Sequence, residues 1–123
     1  MITFGHENLC VADLEASIRF YEQNFDMVLR KRLKANGNAM AWLGYEGTSF
    51  FLELSEGRVV RGNNHIAFVT DRRDEFFRRH NAAKLVDFEI PELDVYFMHD
   101  PDGNSIEVMS ERSMAILNSD STC

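Results

Sequence analysis

The chain repeats itself. His6 opens the run H-E-N-L-C-V-A-D ahead of one helical stretch, and His65 opens H-I-A-F-V-T-D ahead of a second. Later in each half an acidic residue sits inside an apolar strand, Glu53 in F-F-L-E-L and Glu107 in N-S-I-E-V. The histidines are 59 residues apart and the glutamates 54, so one unit is used twice with a small change of length. A repeated unit of roughly 55 residues is near the limit at which a core holds alone, and pairing with its copy completes that core. At 123 residues the chain has room for one domain built of two modules and no more. Module one is expected over 1–56 and module two over 62–110, together a single domain 1–110. The Ser-rich tail 111–123 has no counterpart in the first half; it reads as a short helix or as disorder, and no function is assigned to it.

Periodicity gives both modules the order strand, helix, strand, strand, strand. Phe4 to Val11 reads as a strand, and Asp13 follows as the N-cap of a helix whose apolar stripe is Leu14, Ile18, Tyr21 and Phe25. Met27 to Ala35 and Ala39 to Tyr45 form a hairpin about Asn36-Gly37, and Thr48 to Ser55 completes the module. In the second half Asp71 stands where Asp13 stands in the first and is expected to cap a helix carrying Phe76 and Phe77. Strands come next near Lys84 to Phe88, Asp94 to His99 and Asn104 to Ser110, the last two joined by Asp100-Pro101-Asp102-Gly103. In that turn Pro presets its own φ and Gly accepts the positive φ the chain then needs. The fold class is therefore α+β, two tandem βαβββ modules.

Charge and cysteine usage narrow the partners. Thirteen Lys and Arg against twenty Asp and Glu leave −7, which argues against nucleic acid or an anionic membrane surface. No apolar run approaches the roughly 20 residues that span a bilayer. The N-terminus shows no basic segment followed by an apolar run, so no secretory signal is visible and the expected compartment is the cytosol. Cys10 and Cys123 read as free thiols, in keeping with that compartment.

Strand parity turns the repeat into chemistry. Alternate residues of a strand face opposite sides of the sheet. Glu53 lies between Leu52 and Leu54, and Glu107 between Ile106 and Val108; if those aliphatics pack on the helices, both carboxylates point the other way. His6 is out of phase with Leu9 and Val11, and His65 with Ile66 and Phe68. All four side chains thus share the face away from the helices. Two His and two Glu on a face that the sheet curves around make an N/O donor set with room for water, suited to Ni, Co, Mn, Fe or Zn. Single polar residues at such positions are usually just solvated, but independent solvated residues have no reason to obey the repeat. His80 on the second helix and His99 beside the turn fall outside it and read as structural. Arg30, Arg32 and Lys34 alternate along one strand and read as a solvated edge, with an anionic substrate as the other use. Met40, Trp42, Phe51 and Phe97 read as pocket lining or core.

With these residues in place the sequence resembles the vicinal-oxygen-chelate superfamily, the glyoxalase, bleomycin-resistance and dioxygenase group. The resemblance is carried by His6 with V-A-D-L-E-A-S-I-R-F-Y, F-L-E-L around Glu53, N-H-I-A-F-V around His65, and V-Y-F-M-H-D-P-D-G-N-S-I-E-V ending in Glu107, from about Ile2 to Ser110. It implies a curved mixed sheet around a metal cavity, a homodimer, and the ligand set His6, Glu53, His65 and Glu107. That set is similar to glyoxalase I, closest to compact bacterial forms, whereas the fosfomycin-modifying thiol transferases and extradiol dioxygenases generally lack a ligand at the Glu53 position. The implied activity is isomerisation of a hemithioacetal, formed from a thiol and a 2-oxoaldehyde such as methylglyoxal, to a 2-hydroxyacyl thioester. A divalent metal would stabilise the negative charge of the cis-enediolate. The resemblance gives the role of base to Glu107, with Glu53 as its counterpart for the opposite face.

Two departures bear on the substrate. The glutathione-dependent branch has an Arg four residues after the first His, where this chain has Cys10; and the long glycine-bearing loop before the D-P-D-G turn is replaced by the compact Phe88 to Leu93. Both remove groups that would hold and cover glutathione. The alternatives within the same resemblance are thiol addition to an epoxide such as fosfomycin, and a binding protein that sequesters an antibiotic or metabolite without chemistry.

Overall fold

The structure is a computed structural model and describes residues 1, 5–35, 37–59 and 65–118. The chain divides into two compact units, Met1–Gly62 and Asn63–Cys123, and each has the same strand order. Unit one runs β1 (His6–Val11), α1 (Leu14–Phe25), β2 (Val28–Ala35), β3 (Asn38–Gly44), β4 (Phe51–Glu56). Unit two runs β5 (His65–Thr70), α2 (Arg73–Ala82), β6 (Val86–Ile90), a 3₁₀ turn (Pro91–Leu93), β7 (Val95–His99), β8 (Ser105–Ser110), α3 (Glu111–Asn118). The strands hydrogen-bond as two four-stranded mixed sheets, β1-β4-β3-β2 and β5-β8-β7-β6, in which only β1/β4 and β5/β8 are parallel. The expected α+β class and tandem βαβββ modules are what the chain forms, with one sheet per module.

In unit one the helix begins where Asp13 accepts a hydrogen bond from the Ala16 N–H, 3.1 Å away. Glu56 Oε2 accepts from the Leu14 N–H at 2.9 Å, so a β4 carboxylate satisfies a second first-turn donor. The expected stripe Leu14, Ile18, Tyr21 and Phe25 is buried, as are Val11, Ala41, Leu43, Leu52 and Leu54 on the strands. The helix ends at Asp26, in the left-handed region with φ 54°. Of the expected hairpin turn, Gly37 has φ +80°, which only glycine adopts without strain, and Asn36 lies outside the described residues, as does Phe4. β4 starts at Phe51, three residues later than expected, because Thr48 turns back to donate from its N–H to the Tyr45 carbonyl.

Unit two departs from the expected pattern at its helix. Asp71 does not cap α2: the helix starts at Arg73, its N-cap position is Arg72, and no side chain caps it. Thr70 Oγ1 instead accepts the Arg72 N–H at 3.0 Å. The next strand starts at Val86 and not at Lys84, because Lys84, φ 59°, is spent in closing the helix against Asn81. The turn after β7 forms as expected. Asp100, 1% exposed, accepts from the N–H groups of Asp102 and Asn104 on Oδ1 and from Asn104 Nδ2 on Oδ2, and Gly103 takes φ +82°. The tail is helical from Glu111 to Asn118. It is pinned by Ser113 Oγ, which donates to the Asp94 carbonyl at 2.9 Å, and by Ser110 Oγ, which donates to Asp94 Oδ2 at 2.6 Å. No helix among the described residues is long and apolar enough to cross a membrane.

Candidate functional site

Each module brings its own His and Glu together. In unit one His6 pairs in register with Phe51 on the parallel β4, and Glu53 stands two residues further along the same strand. His6 Nε2 lies 3.5 Å from Glu53 Oε1. In unit two His65 pairs with Ser105, Glu107 stands two residues further, and His65 Nε2 lies 3.2 Å from Glu107 Oε1. The exposures match as well, 43% and 13% for His6 and Glu53 against 43% and 14% for His65 and Glu107. Strand parity is the same in both modules: Leu52, Leu54, Ile106 and Val108 are buried on the other face.

The spacing suits a metal. Two donors each about 2.1 Å from one ion and about 90–110° apart at it lie about 3.0–3.4 Å from each other. The two pairs sit at or just beyond that separation, and imidazole with carboxylate is a donor mixture that divalent first-row metals accept. Among the described residues no three or more His, Cys, Asp or Glu side chains gather to hold a metal; each module presents two.

Around these pairs the modules differ. Glu53 is held from both neighbouring strands: Asn8 and Trp42 are its register partners on β1 and β3. Asn8 Nδ2 donates to Glu53 Oε1 at 3.0 Å and to Ser55 Oγ at 2.7 Å, while Trp42 Nε1 donates to Glu53 Oε2 at 2.8 Å. Phe51 lies between two rings, stacked on His6 at 5.0 Å and tilted against Trp42 at 4.4 Å. The Lys31 ammonium sits 5.3 Å from the centre of the Trp42 ring. In unit two the register partners of Glu107 are Ala67 and Phe97, neither of which has a side-chain donor. Among the described residues His65 is the one polar contact of the Glu107 carboxylate. Phe97 meets the His65 ring edge-on at 5.7 Å and stacks on the exposed Phe88 at 4.9 Å.

The remaining histidines and the basic strand have other partners. His80 is fully buried, its Nδ1 2.8 Å from the Tyr96 hydroxyl, and is part of the core. His99 lies in the same cross-strand row as Ser105 and His65, and its Nδ1 is 2.8 Å from Asp87 Oδ1. Arg32 does not reach this face. It is bonded through both terminal nitrogens to Glu15 on α1, and Arg30 donates to the Thr48 carbonyl at 3.0 Å. The cation on the His6/Glu53 face is Lys31, because the register shifts between Leu29 and Lys31 and inverts the parity of the rest of β2. Asn8 and Trp42 were legible in principle: Asn8 shares the parity of His6, and an indole has an N–H to place as well as a ring. Cys10 is an exposed free thiol, and Cys123 lies outside the described residues.

The model of the Glyoxalase/Bleomycin resistance protein/Dioxygenase superfamily matches residues 3–108. The uncharacterized protein YwbC of Bacillus subtilis strain 168 is 32% identical over 120 residues, covering 83% of this chain and 92% of that relative. Among solved structures, the trypanothione-dependent glyoxalase I of Leishmania major superposes with TM-score 0.81 at 23% identity, over 95% of this chain and 92% of that one. A glutamate-to-glutamine mutant of the fosfomycin resistance protein FosX from Listeria monocytogenes, complexed with Mn(II) and 1S,2S-dihydroxypropylphosphonic acid, superposes with TM-score 0.74 at 23% identity, over 89% and 93%. At these identities the structural likeness is one of fold.

Proposed function

Because the chain belongs to the glyoxalase/bleomycin resistance protein/dioxygenase superfamily, we propose that it is a divalent-metal-dependent, glyoxalase I-like lyase that isomerises a 2-oxoaldehyde–thiol hemithioacetal to a 2-hydroxyacyl thioester. The metal ligands are His6, Glu53, His65 and Glu107, and the enzyme works as a cytosolic homodimer. The observation that supports this most is the duplicate His–Glu pairing, at ligand-to-ligand spacing and equal exposure in both modules.

A divalent ion so held would act as a Lewis acid toward two neighbouring substrate oxygens. The chain's own residues do the rest. Glu107 takes the carbon-bound proton on a carboxylate oxygen and returns it to the adjacent carbon, while the hydroxyl proton passes to the former carbonyl oxygen. The register partners of Glu107 on the neighbouring strands, Ala67 and Phe97, have no side-chain donor to hold it. Glu53 faces the opposite side of the substrate. Phe97, the register partner on β7, stacks on Phe88 and gives Glu107 an apolar neighbour.

The test is the full-length chain, stripped with chelator, reloaded with Ni, Co, Mn, Fe or Zn, and assayed with methylglyoxal and a panel of thiols. One divalent ion per chain and metal-restored turnover are expected, and Glu107→Gln should lose about 10²–10⁴-fold in kcat. A Glu107→Gln enzyme with full turnover would refute the assigned base. Sedimentation at several concentrations tests the dimer.

A second reading is thiol addition to an epoxide such as fosfomycin. The FosX likeness supports it as regards an epoxide substrate, while Cys10, where the glutathione-dependent branch has an Arg, bears on both thiol-using readings alike. Turnover of the epoxide and not of the hemithioacetal selects it. Ligand binding unaffected by chelator, with no turnover, would instead select the non-catalytic binding protein.

A further inference from the structure

The duplication provides an internal control for the surroundings of each carboxylate. Backbone register makes Asn8, Glu53 and Trp42 one cross-strand row, and Ala67, Glu107 and Phe97 the matching row of the second module. Position for position, module one carries a donor on each side of its carboxylate and module two carries none. The contacts agree with the register. Asn8 Nδ2 reaches Oε1 at 3.0 Å and Trp42 Nε1 reaches Oε2 at 2.8 Å, one donor for each oxygen of Glu53. Hydrogen bonds to an ionised acceptor are about twice as strong as neutral ones, so a carboxylate held at both oxygens is fixed in rotamer. The donors are themselves held. Asn8 also donates to Ser55 Oγ at 2.7 Å, and the Trp42 ring lies between Phe51 at 4.4 Å and the Lys31 ammonium at 5.3 Å.

We propose that Trp42 and Asn8 are positioning residues that lock the Glu53 carboxylate in place as a permanent metal ligand, so that of the two carboxylates only Glu107 is free to leave. This rests on the metal-dependent reading above, and deepens it by giving the two glutamates unequal roles from the chain's own contacts. Neither residue touches substrate in this scheme. Their effect passes through Glu53, in the way outer partners of a metal ligand typically account for 10–100-fold in affinity.

The test uses the full-length chain, freed of metal and titrated with Co²⁺ alone, its affinity read by calorimetry and by the Co²⁺ absorption spectrum. Trp42→Phe keeps a flat ring against Phe51 and removes the N–H; Asn8→Ala installs the residue that module two carries. Each should weaken Co²⁺ binding by about 10–100-fold. In a Glu53→Ala background, adding Trp42→Phe should change the affinity less than twofold, which a merely structural role for the indole would not produce. Trp42 is the chain's single tryptophan, so in the parent its emission should also change as Co²⁺ saturates the site. Thermal melts confirm that each variant is folded; should Trp42→Phe fail to fold, Asn8→Ala, at an exposed position, carries the comparison. Parent-like affinity in a folded variant, or an equal loss in the Glu53→Ala background, overturns the positioning role and leaves the metal reading standing. A parent chain that takes up no Co²⁺ or other divalent ion overturns both.

Discussion

Glu53→Gln and Glu107→Gln are isosteric changes at matched positions, and the structure predicts that they differ in the metal-free protein. The two carboxylates are 13% and 14% exposed, and each lies beside a histidine that is 43% exposed, so desolvation and the histidine contact are nearly common to both. Each substitution also relieves one unit of a −7 net charge, and that relief cancels in the comparison. The pair of bonds from Asn8 and Trp42 to Glu53 does not cancel. A glutamine can keep both only if the Asn8 amide turns round to present its oxygen, and both bonds then become neutral. Hydrogen bonds to charged groups contribute about 1.5–3 kcal/mol and neutral ones about 0.5–1.5, so the loss is about 1 kcal/mol per bond and about 2 kcal/mol in all. Glu107 has no such bonds to lose among the described residues, and its substitution should stay within about 0.5 kcal/mol. At about 4 °C per kcal/mol for a chain of this size, chelator-treated Glu53→Gln should melt about 8 °C below Glu107→Gln at neutral pH. Melting temperatures within about 2 °C of each other, or the reverse order, would show that the donors to Glu53 do not hold it in solution.

Two further outcomes test the core and its ionisation. Tyr96→Phe removes the hydroxyl 2.8 Å from His80 Nδ1, with both residues fully buried, and should destabilise the protein by about 1–3 kcal/mol; a melting temperature lowered by less than about 1 °C would contradict the role given to that bond. Tyr45 donates its hydroxyl to the Phe25 carbonyl at 2.6 Å, and burial, with Asp26 nearby, pushes its phenol up to about 12 from an ordinary 10. Between those values the unfolded chain has released the proton and the folded one still holds it, so stability is intact below about pH 10 and falls as pH rises toward about 12. Denaturant melts across that range should show Tyr45→Phe with a shallower alkaline decline than the parent, though not a flat one, because burial raises the Tyr96 phenol in the same sense.

The two His–Glu pairs were legible because strand parity is a two-valued property and the repeat tests it twice. Any register in which Leu52, Leu54, Ile106 and Val108 are buried turns Glu53 and Glu107 the other way. The Asp13 cap and the D-P-D-G turn were legible for a similar reason, since their chemistry closes over three or four residues. Local chemistry failed where a contact further off decided the outcome. Asp71 looks like Asp13, but Thr70 Oγ1 takes the Arg72 N–H and the helix starts two residues beyond Asp71. Arg32 and Lys31 exchanged faces because Arg30 is an extra residue against the β3 ladder, and nothing in the spacing of the charges announces a bulge.

For the same reason the repeat revealed the two His–Glu pairs and not the difference in their surroundings. A search for self-similarity rewards positions that agree, and His6 with His65, or Glu53 with Glu107, agree. Asn8 with Ala67 and Trp42 with Phe97 disagree, so they drop out of the pattern even though register places them beside the two carboxylates. Once a backbone is duplicated, equal positions have equal geometry, and any difference in what two matched acids can do must come from their neighbours. Here one acid has an N–H directed at each oxygen and the other has a methyl and a phenyl ring. The proposed division of labour, one carboxylate that stays and one that moves, requires those two surroundings, so its test lies in the mismatched neighbours and not in the matched acids.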